Sequence, residues 1–217
     1  MPRMVCVAVM LLSLAGLGGA ALAQDGPELF YPLKEGLQWE YQAMSGGAAA
    51  KIVITNLALR EVEGKKATPR KWETGGGVKY IFVAQDGQGI YRLAEQVGDQ
   101  GAVKPVTPKV YYLHTPVAVG TTWDIATQRG EDSFNINLTV ESVSEEVKAP
   151  AGVYKDCLMV KHQGSGGQEG AKVSVSAYEW YAPKVGLVKS LATIKKQVPG
   201  KPEQTETHTF HLQSFKQ

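Results

Sequence analysis

Beyond residue 23 no segment sustains an apolar helical period, and this constrains the fold more than any motif does. In place of helices stand short runs rich in β-branched and aromatic residues, at 37–44, 50–59, 78–85, 89–95, 109–114 and 121–128. The series continues at 133–147, 155–163, 172–182, 186–197 and 205–215. Turn formers punctuate it: Asp86-Gly87, Gly98-Asp99, Arg129-Gly130, the stretch 164–170, and Pro199-Gly200. Residues 141–148 come nearest to a helix, but Ser142, Val143, Ser144 and Val147 are poor helix formers. The chain reads as all-β.

Alternation refines this. In Phe134-Asn135-Ile136-Asn137-Leu138-Thr139-Val140 the even positions are apolar and the odd ones polar, so one face is buried and the other wet. Residues 172–180 behave alike. Val173, Val175 and Ala177, with Glu179 at the end of that side, oppose Lys172, Ser174, Ser176 and Tyr178. Long one-sided strands joined by short turns predict a single antiparallel, strongly curved sheet or half-barrel of about 10–12 strands, with a β-sandwich as the alternative.

A short module occurs twice, 84 residues apart: Pro32, Gly36, Trp39 and Glu40 recur as Pro116, Gly120, Trp123 and Asp124. Proline fixes φ ahead of a strand, glycine supplies a positive φ or a bulge, and the indole closes one end of a core. A related run, Trp180-Tyr181-Ala182-Pro183, reverses the order. Trp39, Trp123, Trp180 and Tyr181 therefore carry two readings: core-closing aromatics, or the walls of a groove for a glycan or lipid. The repeat also suggests two related halves, about 28–114 and 115–217, within one domain over 24–217.

Residues 1–23 have a basic start at Arg3, an uncharged apolar run from Val5 to Leu22, and Ala21-Leu22-Ala23 before Gln24. That is the pattern of a cleaved signal peptide, and it predicts an exported protein, periplasmic or extracellular, with no transmembrane segment after cleavage. Cys6 sits too early to be a lipidation site at the cut. Cleavage would leave Cys157 as the only cysteine, read as a small buried hydrophobe, with a reactive or intermolecular thiol as the alternative. The 23 Lys and Arg nearly balance the 21 Asp and Glu. No basic cluster is interleaved with aromatics, so no nucleic-acid partner is expected.

The first Trp module, Pro32 to Trp39, with the stretch Ala149-Pro150-Ala151-Gly152-Val153-Tyr154-Lys155-Asp156-Cys157 and the run Trp180–Lys189, resembles small exported bacterial β-sheet proteins of unknown function, TapB-like and related uncharacterised domains. The resemblance spans roughly residues 30–190 and implies a curved antiparallel sheet in the cell envelope. It brings no catalytic set with it.

Catalytic patterns are sparse. His208 and His211 are three apart, so in a strand they point to opposite faces and share no metal readily. His114 and His162 stand alone. Glu145-Glu146 and Glu131-Asp132 are adjacent pairs of the kind found on solvated faces. Ser165 lacks a nucleophile elbow, and Gly75-Gly76-Gly77 has no following helix. No enzyme, cofactor or metal is expected. Three functions fit: a binding or carrier module for an apolar or lipidic ligand, an accessory envelope protein working through protein contacts, and a hydrolase with an unrecognised site. An unfilled concave face would mark the first, and a filled core with exposed strand edges the second.

Overall fold

The computed structural model describes residues 26–129, 132–168 and 170–217. The leader expected at 1–23, with Cys6, lies outside these, as do Gly130 of one expected turn and Glu131 of one acidic pair. A short helix, α1 (Pro27–Phe30), precedes β1 (Gln38–Ser45), β2 (Ala48–Asn56), β3 (Arg60–Val62), β4 (Lys65–Thr74), β5 (Gly77–Asp86) and β6 (Gly89–Val97). Then come β7 (Lys104–His114), β8 (Thr122–Arg129), β9 (Asp132–Ala149), β10 (Gly152–Gln168), β11 (Ala171–Ala182), β12 (Gly186–Gln197) and β13 (Gln204–Lys216).

All the strands pair antiparallel in one sheet, in the order β7-β6-β5-β4-β2-β1-β13-β12-β11-β10-β9-β8, with β3 beside β4 off this path. The chain is a meander that starts mid-sheet at β1, runs out to β7, resumes at β8 and returns to pair β13 with β1. The expected single curved sheet forms; the alternative sandwich does not. Residues 141–148 lie within β9 and are not helical.

The curvature shows in the core. Phe30 and Tyr31 share one cluster with Val83 of β5, Leu113 of β7, Trp123 of β8 and Val160 of β10. Side chains from both ends of the path meet there, so the sheet curls until β7 stands beside β8. Along β10, Gly164 and Gly166 approach β9 so closely that an added Cβ would lie 2.2 Å from the Asn135 carbonyl oxygen and 2.0 Å from that of Ser133. Only glycine permits such coiling.

Two strands escape the sequence pattern. Residues 60–74 carry no alternating apolar run and contain Pro69, yet they form β3 and β4. Val62 and Ala67 there pack on Phe82, Tyr91 and Leu93. Phe82 and Val83 belong to different clusters, so β5 is buried on both faces, which accounts for its continuous apolar run. The β9–β10 tip reaches across to β13, where the Ala151 N–H donates to the Leu212 carbonyl at 3.1 Å.

Candidate functional site

The repeated module builds the same local structure twice. Gly36 and Gly120 adopt φ of +83° and +87°. The Gly36 N–H donates to the Asn56 carbonyl while the Asn56 N–H donates to that of Leu37, both at 2.9 Å. Gly120, Val140 and Thr121 repeat the arrangement, again at 2.9 Å for both bonds. Each pair aims an indole inward. Trp39 is wholly buried, and its Nε1 donates to the Val185 carbonyl at 2.6 Å; Trp123 is 7% exposed, and its Nε1 donates to the Tyr111 carbonyl at 3.1 Å. The following acids reach the neighbouring strand, Glu40 to Lys51 at 2.8 Å and Asp124 to the Asn137 amide at 3.0 Å.

The four aromatic candidates do not line one groove. Trp39 belongs to the cluster with Tyr41, Cys157 and Leu212, whereas Trp123 and Tyr181 belong to the one around Phe30 and Tyr31. Trp180 alternates onto the other side of β11 from Tyr181, beside Tyr178 and under the Lys189 ammonium at 5.0 Å. Cys157 is buried; burial, then Asp156 and Glu145, push its thiol up to about 11, so it carries little thiolate at neutral pH.

The register brings together a polar group that the sequence did not reveal. Val160 pairs with Glu179 and His162 with Ala177, which places Glu179 and His162 on the face that carries Tyr181. Tyr181 Oη donates to Glu179 Oε2, and His162 Nε2 lies 3.2 Å from the same oxygen. Burial alone would raise the Glu179 carboxyl. The His162 charge and the bonds from His162 and Tyr181 outweigh it, holding the carboxyl below its ordinary value. Alternation along 172–180 already put Glu179 on the buried side; only strand register could supply its partner. His208 and His211 do face opposite ways. His208 Nε2 lies 3.4 Å from Glu206, and His211 faces Lys189, with its pKa lowered by burial and then by that charge. Among the described residues no group of three or more His, Cys, Asp or Glu side chains gathers to hold a metal ion.

The seam is the other unusual feature. Among the described residues β7 and β8 share no backbone hydrogen bond; Trp123 joins them, bonding the Tyr111 carbonyl and stacking on His114 at 5.9 Å between centroids. The Val140 N–H bonds the Thr121 carbonyl, so Trp123 and Ile125 face β9 with their backbone groups. Thr122, Asp124, Ala126 and Gln128 direct theirs to the seam. On the opposite bank β7 carries Lys104, Pro105, Pro108 and Lys109, residues that discourage strand addition. From 122 to 128, β8 has no proline and no lysine.

The DUF3108-like family matches residues 127–198, less than half of the chain. No curated protein matches the chain in sequence. A Parabacteroides distasonis ATCC 8503 protein assigned as a lipoprotein superposes with a TM-score of 0.50 at 14% identity, covering 89% of this chain and 100% of its own. A Bacteroides fragilis NCTC 9343 protein assigned as exported, with a YmcC-like fold, gives 0.46 at 16% identity, covering 87% and 99%. At such identity the first likeness speaks to the fold alone. The DUF3108-like match contains two of the turn motifs, at 149–157 and 180–189, that carry the resemblance to uncharacterised exported β-sheet proteins.

Proposed function

We propose that this is a non-enzymatic exported envelope protein that works by protein–protein contact, accepting an extended strand of a partner at the β8 edge. The observation that supports this reading is the incomplete seam. An edge strand with a free ladder is a template for strand addition, and proteins that do not use such an edge usually blunt it. Here β7 is blunted and β8 is not. Export rests on the leader pattern at 1–23 and agrees with the lipoprotein assignment of the Parabacteroides protein. A carrier would need an unfilled concave face, whereas α1, Phe30 and Tyr31 occupy the end of it nearest the seam's Trp123. Glu179, the most enclosed carboxylate of that face, is engaged by His162 and Tyr181 and offers no free acid or base.

A photo-crosslinking residue at Ala126 in the native envelope tests this, with one at exposed Ser174 on β11 as control. A discrete protein adduct from position 126 alone, lost when Asp124→Pro removes a seam-facing N–H, is the expected result. Equal adducts from both positions, or none from 126, would reject the reading.

A further inference from the structure

Arg70 is the one charged side chain among the described residues that is more than nine-tenths buried, at 7% exposure. It stands on β4 between Asn56 of β2 and Ile81 of β5. Its guanidinium lies over the Tyr31 ring at 4.6 Å and the Trp39 ring at 4.5 Å. Contact with the rings satisfies none of the in-plane N–H donors of the guanidinium.

No hydrogen bond or ion pair to Arg70 exists among the described residues, and its Nε is wholly enclosed without an acceptor. Trp72 is two residues along, so its side chain leaves β4 on the same face. Its indole N–H is also enclosed and without an acceptor. No nearby carboxylate or hydroxyl bonds it. Glu179 is held by His162 and Tyr181, the Tyr41 hydroxyl donates to the Leu187 carbonyl at 2.8 Å, and the Tyr112 hydroxyl accepts from Arg92 at 3.0 Å. Across the ladder, Asn56 Oδ1 also lacks a partner. It is neutral, so it can take one N–H but cannot balance a buried charge.

We infer that Arg70 and Trp72 form a binding site for a carboxylate. A guanidinium with unpartnered in-plane donors suits a planar bidentate acceptor, and the Trp72 indole N–H is a second unpartnered donor on the same face of β4. One cation with one neutral donor matches a monoanion better than a phosphate dianion. This site is independent of the seam and needs no partner protein.

Thermal melting of the intact mature protein at constant ionic strength tests it, with sodium acetate, octanoate, phosphate and chloride as probes. A saturable rise in Tm with carboxylate, absent with chloride and phosphate, is expected. Equal response to acetate and octanoate would mark a free small carboxylate as the ligand; a response to octanoate alone would mark a carboxylate on an apolar chain. Arg70→Lys keeps the charge but loses the fork, and should weaken carboxylate binding at least tenfold; Arg70→Met should abolish it. If Arg70→Met does not fold, titration of the wild-type tryptophan fluorescence with acetate gives a second readout, because the Trp39 ring touches the guanidinium. The site is overturned if no carboxylate produces a saturable change in the wild type. It is equally overturned if all four anions act alike, or if the response survives in Arg70→Met.

Discussion

Trp39→Ala is expected to lower stability by about 3–5 kcal/mol, the range for truncating a fully buried large aromatic. Trp39 is wholly buried, packs on Phe215 at 5.5 Å between centroids, lies 4.5 Å from the Arg70 guanidinium and donates to the Val185 carbonyl. Trp123→Ala should cost less, roughly 2–4 kcal/mol, because that indole keeps 7% exposure and sits at the edge of the sheet. Urea denaturation of both variants measures the difference. Equal, sub-kilocalorie losses would mean that the two indoles do not hold the ends of the core, and the groove reading of these residues would return. Trp123→Ala has a second consequence, since it removes the side chain that joins β8 to β7; the β8 amides bonded to β9 should then exchange faster while the rest of the sheet is unchanged.

Glu179→Ala is expected to cost about 3 kcal/mol at neutral pH, near the low end for breaking a buried pair, since the carboxylate and His162 keep 24% and 19% side-chain exposure. Glu179→Gln allows the pH dependence to be read separately. The folded carboxyl lies below its ordinary value, so the unfolded state binds the proton more readily. The stabilisation is therefore complete above about pH 4.3, the unfolded glutamate value, and is lost as pH falls through the lower folded value. Melting curves from pH 7 to pH 3 should show the gap between wild type and Glu179→Gln closing at the acidic end. A gap that stays constant with pH would mean that Glu179 contributes through packing and not through its charge.

Much of this fold is legible in the sequence. Alternation at 134–140 marked a one-sided strand, and the recurring glycine and tryptophan marked two strand starts whose hydrogen bonds prove equivalent. Other features depend on contacts between distant residues, which local patterns do not encode. The helix α1 has four residues, too short for any period, and matters only because Phe30 and Tyr31 meet strands from both ends of the sheet. Strand β4 was hidden by Lys65, Lys66 and Pro69, and with it went Arg70, whose burial no neighbour in sequence announces. Pro69 is tolerated because β2 pairs only with residues 70–74 of β4. The contact of His162 with Glu179 depends on the β10–β11 register, which sets Val160 opposite Glu179 and His162 opposite Ala177, and a one-residue slip would have put the two on opposite faces.

The proposal that β8 is an available edge rests on backbone groups that point into the seam, and amide hydrogen exchange of the isolated mature protein reads those groups individually. The amides of Asp124 and Ala126 should exchange quickly, while those of Trp123 and Ile125, bonded to β9, stay protected alongside them. Equal protection of all four would mean that β7 and β8 already share a ladder, leaving no free edge for a partner strand.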